Sequence, residues 1–160
     1  MEINYSDSGI QKSEKSIFLA GPTPRKKNIE TWRKEALEIL ASLNFDGLVY
    51  VPEDEFDERR KDYVDQADWE REALHNATVI VFWVPRVLPD MPAFTTNVEF
   101  GYWMAKDSDK VIYGRPEGAE KTKYLDWLYK KEKAEQPIND LNELMQQAVA
   151  KTNRGKVKVK

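Results

Sequence analysis

Residues Val79–Pro85 read VIVFWVP, and Arg86–Trp103 behind them read RVLPDMPAFTTNVEFGYW. The first stretch is apolar throughout, without alternation, and is closed by proline. That pattern predicts a central strand covered on both faces. A helix is predicted before it, over about Asp65–Asn76, with Ala73 and Ala77 at its inner end. Another is predicted after it, from about Thr95 to Lys106, following a proline-rich loop.

The same alternation extends outward. SIFLAG (Ser16–Gly21) reads as a short buried strand that turns at Gly21 and Pro22-Thr-Pro-Arg25. Ile29, Trp32, Ala36, Leu40 and Leu43 recur at helical spacing, so a helix is expected over Asn28–Leu43 with Asn28 as its cap. LVYVP (Leu48–Pro52) and KVIYGRP (Lys110–Pro116) are further strands. Helices through YLDWLYKKE and over about Asn139–Thr152 close the chain, with a short extended EQPI between them. Strands alternating with helices make parallel βαβ units, hence a doubly wound α/β sheet with helices on both faces. It has four strands, or five if EQPI pairs. Residues 1–15 read as a polar lead-in, 16–152 as a single domain and 153–160 as a basic tail.

Composition removes several chemistries. The 160 residues carry a net charge of −3, so no global basicity points to nucleic acid or an anionic membrane. There is no cysteine, hence no disulfide, thiolate nucleophile or cysteine zinc site. The one histidine, His75, cannot build a histidine-rich metal site and is expected at a helix end facing solvent. No apolar run approaches the roughly 20 residues of a membrane span, and the N-terminus has no apolar signal core. These features lead us to expect a cytoplasmic protein. Glu53–Asp62, EDEFDERRKD, reads as a solvated loop, with magnesium binding as the lesser alternative. Phosphate-binding glycine fingerprints and a nucleophile elbow are missing. We therefore expect no cofactor and no metal.

Carboxylates remain. In a doubly wound sheet the ligand crevice lies beyond the carboxyl ends of the strands. That rule selects the loops Gly21–Arg25, Pro85–Thr96 and Gly114–Gly118, and Glu99 follows the second. Thr96-x-x-Glu99 also fits a capping box, in which Glu99 merely closes the helix start. A pair of carboxylates, one nucleophile and one general acid, is the usual equipment for cleaving a glycosidic bond with retention. A nucleophilic glutamate has to be ionised, and a helix N-terminus favours that.

SIFLAGPTPR, then Trp69-Glu70 with Ala73-Leu74, Ala77 and VIVFWVPR, then FTTNVEFGYW resemble, in this order, the nucleoside 2-deoxyribosyltransferase-like family. The resemblance spans about Ser16–Ile138. It implies a flavodoxin-like fold of five strands, and base exchange on a 2′-deoxyribonucleoside or, in relatives, hydrolysis of a deoxynucleotide's N-glycosidic bond. The nucleophile it implies is Glu99, before Phe100 and Gly101. The general acid it implies is Glu70, seven residues before Ala77, where many relatives have aspartate. Gly21, Pro22 and Thr23 are implied to line the sugar site. Asp90 and Asn97 are candidates for holding the nucleophile or a sugar hydroxyl. Phe94 is a candidate for stacking on a base, as are Trp103 and Trp83, the last more readily a core residue. Arg25 and Arg86 flank the crevice and are candidates for a 5′-phosphate. The implied partners are a nucleoside or nucleotide, a nucleobase and a second copy of the chain.

Overall fold

Strand residues that are apolar on both sides need helices on both sides, and the sheet is built that way. The computed structural model describes residues 1–26, 28–55 and 62–154. Five strands form one sheet: β1 (Glu2–Tyr5), β2 (Ser16–Ala20), β3 (Leu48–Val51), β4 (Val79–Trp83) and β5 (Val111–Gly114). Their order is β1-β3-β2-β4-β5 and every pairing is parallel. Every residue of β2, β3, β4 and β5 is buried.

Alternate strand side chains feed two cores. Ile17, Leu19, Val81 and Trp83 pack with α1 (Trp32–Ser42) and α5 (Leu141–Arg154). Phe18, Tyr50, Phe82 and Tyr113 pack with α2 (Tyr63–Asn76), α3 (Phe94–Asp107) and α4 (Lys123–Lys133) on the opposite face. The fold is thus the expected open α/β sheet of flavodoxin type. Trp83 belongs to the first core, 6% exposed. On α4, Leu125 and Tyr129 turn inward while Tyr124 and Trp127 are exposed.

The N-terminus departs from expectation. Residues 2–5 are not part of a polar lead-in but pair with β3 as an edge strand. An edge strand needs little apolar surface, and here a polar residue secures it: Asn4 is buried, donates to the Gly9 carbonyl (3.0 Å) and accepts from the Gln11 N–H (3.0 Å). EQPI contributes a single bridge, Ile138 to Gly114. Helix α1 starts at Trp32 rather than Asn28, because Thr31 is its cap and accepts from the Arg33 N–H (3.3 Å).

The strand order reverses between β2 and β4, which opens the crevice at their carboxyl ends. One wall is the turn after β2. Gly21 is required there by space: a Cβ would lie 2.2 Å from the Trp83 carbonyl oxygen and 2.8 Å from the Trp32 ring. Among the described residues no helix is long and apolar enough to cross a membrane.

Candidate active site

A cavity of about 520 Å³ lies between the turn after β2, helix α2 and the first half of α3. Glu70 comes from α2, where it adjoins the buried Trp69. Glu99 comes from α3, on the inward arc that carries Thr96, Phe100 and Trp103. The two side chains meet across the cavity in one hydrogen bond. Two carboxyl groups can bond only when at least one of them is protonated, so the pair holds at least one proton.

The electrostatics follow from that contact. Burial pushes Glu99 up to about 8, and the nearby charge of Glu70 pushes the same way. Burial raises Glu70 too, but the Gln66 amide, donating at 3.0 Å, and the charge of Arg33 favour its ionised form. In the unliganded site Glu99 is therefore the carboxyl held more strongly in its neutral form, and Glu70 the readier of the two to ionise. This reverses the expectation that the helix start keeps Glu99 ionised. Glu99 is the sixth residue of α3, beyond the first turn where the dipole acts. The capping box is absent as well. The cap position is Ala93, in left-handed backbone (φ 58°), with no side-chain bond, and Thr96 is buried inside the first turn.

Of the expected site residues, Glu99, Glu70, Gly21, Pro22, Thr23, Arg25 and Phe94 line this cavity. Arg25 lies over the Phe94 ring, 5.9 Å from its centroid, and Phe94 is 68% exposed at the mouth. Three expected residues do not line it. Arg86 is buried and spent on Asn97 Oδ1 and the Lys121 carbonyl (2.7 Å). Asn97 is thereby turned away from Glu99. Asp90 pairs with Lys26 at 2.8 Å. These loops fold back on themselves, a tertiary choice that residue spacing does not encode.

His75 lies in the last turn of α2, as expected, but does not face solvent freely. It is half-buried, edge-on to Trp103 at 5.0 Å, and lines the far end of the cavity with Tyr102 and Trp103. Its Nδ1 lies 2.6 Å from the Arg71 carbonyl, and its Nε2 lies 2.9 Å from Lys106 Nζ. The acidic run behind β3 falls partly on residues outside the described ones. No group of metal-binding side chains occurs among the described residues.

Two contributors escaped the sequence reading. Gln66 stands one helical turn before Glu70, a spacing that signals a side-chain pair. Arg33 is 1% exposed although charged. The signal was its place on the apolar arc with Ala36 and Leu40, where a cation requires buried acceptors.

With this geometry, the comparison with known families is decisive at the level of kinship. The model for "nucleoside 2-deoxyribosyltransferase like" proteins matches residues 14–118. The chain belongs to that family. The matched span runs from just before β2 to the loop after β5 and contains Gly21, Glu70 and Glu99. No curated protein matches the chain.

Proposed function

We propose that this member of the family cleaves the N-glycosidic bond of a 2′-deoxyribonucleoside and passes the deoxyribosyl group to another nucleobase. The observation that carries the reading is the hydrogen-bonded contact of the Glu70 and Glu99 carboxyl groups inside a cleft of nucleoside size. Cleavage needs a proton for the departing base and a carboxylate for C1′, and the pair can supply one of each.

The proton inventory sets the order of events. When a base nitrogen approaches Glu70, Glu70 donates to it and takes up the proton held by Glu99. The C1′–N bond breaks, and the Glu99 carboxylate, now ionised, bonds to C1′ through an oxocarbenium-like transition state. An incoming base then attacks C1′ with its nitrogen and surrenders its N–H proton to Glu70. Glu99 leaves as a carboxylate and recovers the proton. Carboxyl groups this close leave no space for an attacking water between them, which favours the covalent route over direct hydrolysis. Gly21, Pro22 and Thr23 face the same cavity and suit the sugar.

One observation supports a second reading, hydrolysis of a deoxynucleotide. Arg25 lines the mouth, and among the described residues its guanidinium makes no ion pair. A 5′-phosphate would satisfy it.

The test is chromatographic exchange. Deoxynucleosides, and separately their monophosphates, are incubated with and without a second free base, beside Glu99→Gln and Glu70→Gln. A new nucleoside formed only with the second base, and lost in Glu99→Gln, establishes the transfer. Base release that ignores the acceptor and prefers monophosphates establishes hydrolysis. No turnover of any substrate by folded protein removes both readings.

A further inference from the structure

The charge closest in chemistry to the Glu70–Glu99 pair is Arg33, a side chain that belongs to neither helix bearing the pair. Its guanidinium is buried and lines the same cavity. Every nitrogen has a partner. Nε donates to the Leu19 carbonyl (2.9 Å) and Nη2 to the Gly21 carbonyl (2.6 Å). Nη1 donates to Thr23 Oγ1 (3.1 Å) and Glu53 Oε1 (2.5 Å). The ring of Trp32 backs it, 4.9 Å from the centroid. One residue thus ties the end of β2 to the sugar-facing turn and carries a fixed positive charge into the wall of the cleft.

We propose that Arg33 is a positioning residue, which holds the Gly21–Thr23 turn and keeps the Glu70–Glu99 pair in its one-proton state, with Glu53 tempering its charge. The inference rests on the reading of that pair as the reacting groups. Arg33 opposes protonation of both carboxylates, in agreement with its placement. A cation in the wall favours the ionised form of the pair, and removing it pushes both buried carboxyls toward the neutral forms that cannot attack C1′. Among the described residues Glu53 is the only acid bonded to Arg33, and it also accepts from Thr31 Oγ1 (2.7 Å). The other titratable side chains lining the cavity among the described residues are Arg25 from the turn after β2, Tyr63, Arg71 and His75 from α2, and Tyr102 from α3. On the α3 side, Lys106 meets the cavity-lining side chains of His75, Tyr102 and Trp103.

The test alters charge and shape separately. Glu53→Gln keeps an acceptor for Arg33 and Thr31 but removes the tempering charge. Both limbs of the pH–rate profile should then move down by about one pH unit. Arg33→Met removes the charge and should move both limbs up by a similar amount. Arg33→Lys keeps the charge but loses the planar fork, so the limbs should stay while kcat falls. A purely structural Arg33 would lower rates without moving either limb. In parallel, the side-chain carboxyl carbons of Glu70 and Glu99 are titrated by ¹³C NMR in the wild type and in Glu53→Gln, assigned with Glu70→Gln and Glu99→Gln. Midpoints that fall in Glu53→Gln support the inference even if the wild type turns over nothing, an outcome that would sink both catalytic readings and leave the charge control of the pair standing. Midpoints or limbs that coincide with wild type in a folded Glu53→Gln, or that rise, overturn it.

Discussion

At the scale of the residue, the proton on Glu99 is a folding quantity as well as a chemical one. In the unfolded chain its carboxyl titrates near the ordinary value of 4.5, and in the folded protein near 8. Between those values the folded state binds more protons than the unfolded one. Stability is therefore fully present below pH 4.5 and declines as pH rises toward 8, by on the order of a few kcal/mol. Urea melts across this window should show the decline in the wild type and a clearly smaller one in Glu99→Gln. Equal slopes would mean that Glu99 is ionised in the folded protein. Glu70 is expected to behave differently in kinetics. Glu70→Gln removes proton donation, so turnover should fall by about 10²–10⁴-fold. The loss should be smallest for substrates whose base leaves readily without protonation, measured by comparing rates over a series of leaving bases.

At the scale of the element, two helix positions work against local preference. Gly101 lies inside α3, and a Cβ there would meet nothing within 4 Å. Gly101→Ala should stabilise the fold by roughly 0.5–1 kcal/mol, read as a higher urea midpoint at unchanged slope. Ala134 closes α4 in left-handed backbone, φ 56°, and is exposed. Ala134→Gly relieves that conformation and should raise stability by about 1 kcal/mol. If Gly101→Ala gains the expected stability yet loses turnover, the bare backbone beside Glu99 serves the substrate and not the helix. Helix boundaries were the least legible part of the chain. Thr96 and Glu99 have the spacing of a cap, but Ala93 ends the preceding loop and the helix begins earlier, which carries Thr96 into the core. Spacing reports which residues share a turn and not where the turn begins.

At the scale of the whole molecule, the fold was legible wherever burial is two-sided. SIFLA, LVYV, VIVFW and VIYG are apolar throughout, and each is a strand. Glu2–Tyr5 was not legible, because its strand is held by backbone pairing and by Asn4 rather than by apolar surface. The two carboxylates were legible through the family pattern. Arg33 was not, since its partners, the Leu19 and Gly21 carbonyls, Thr23 and Glu53, come together only when the chain packs. Gly21 binds these levels together. Gly21→Ala forces the turn away from the Trp83 carbonyl. It should destabilise the protein by about 2–3 kcal/mol and abolish turnover in the folded remainder, checked by denaturant melts and by the exchange assay.

The two carboxylates flank a single strand, β4, one on the helix that enters it and one on the helix that leaves the loop behind it. A chain cut within residues 86–92 would put Glu70 on one fragment and Glu99 on the other. Neither fragment alone could sustain the common proton, and Glu99 would revert to an everyday acid. Its titration would then serve as an internal reporter of fragment complementation, silent until the halves rejoin.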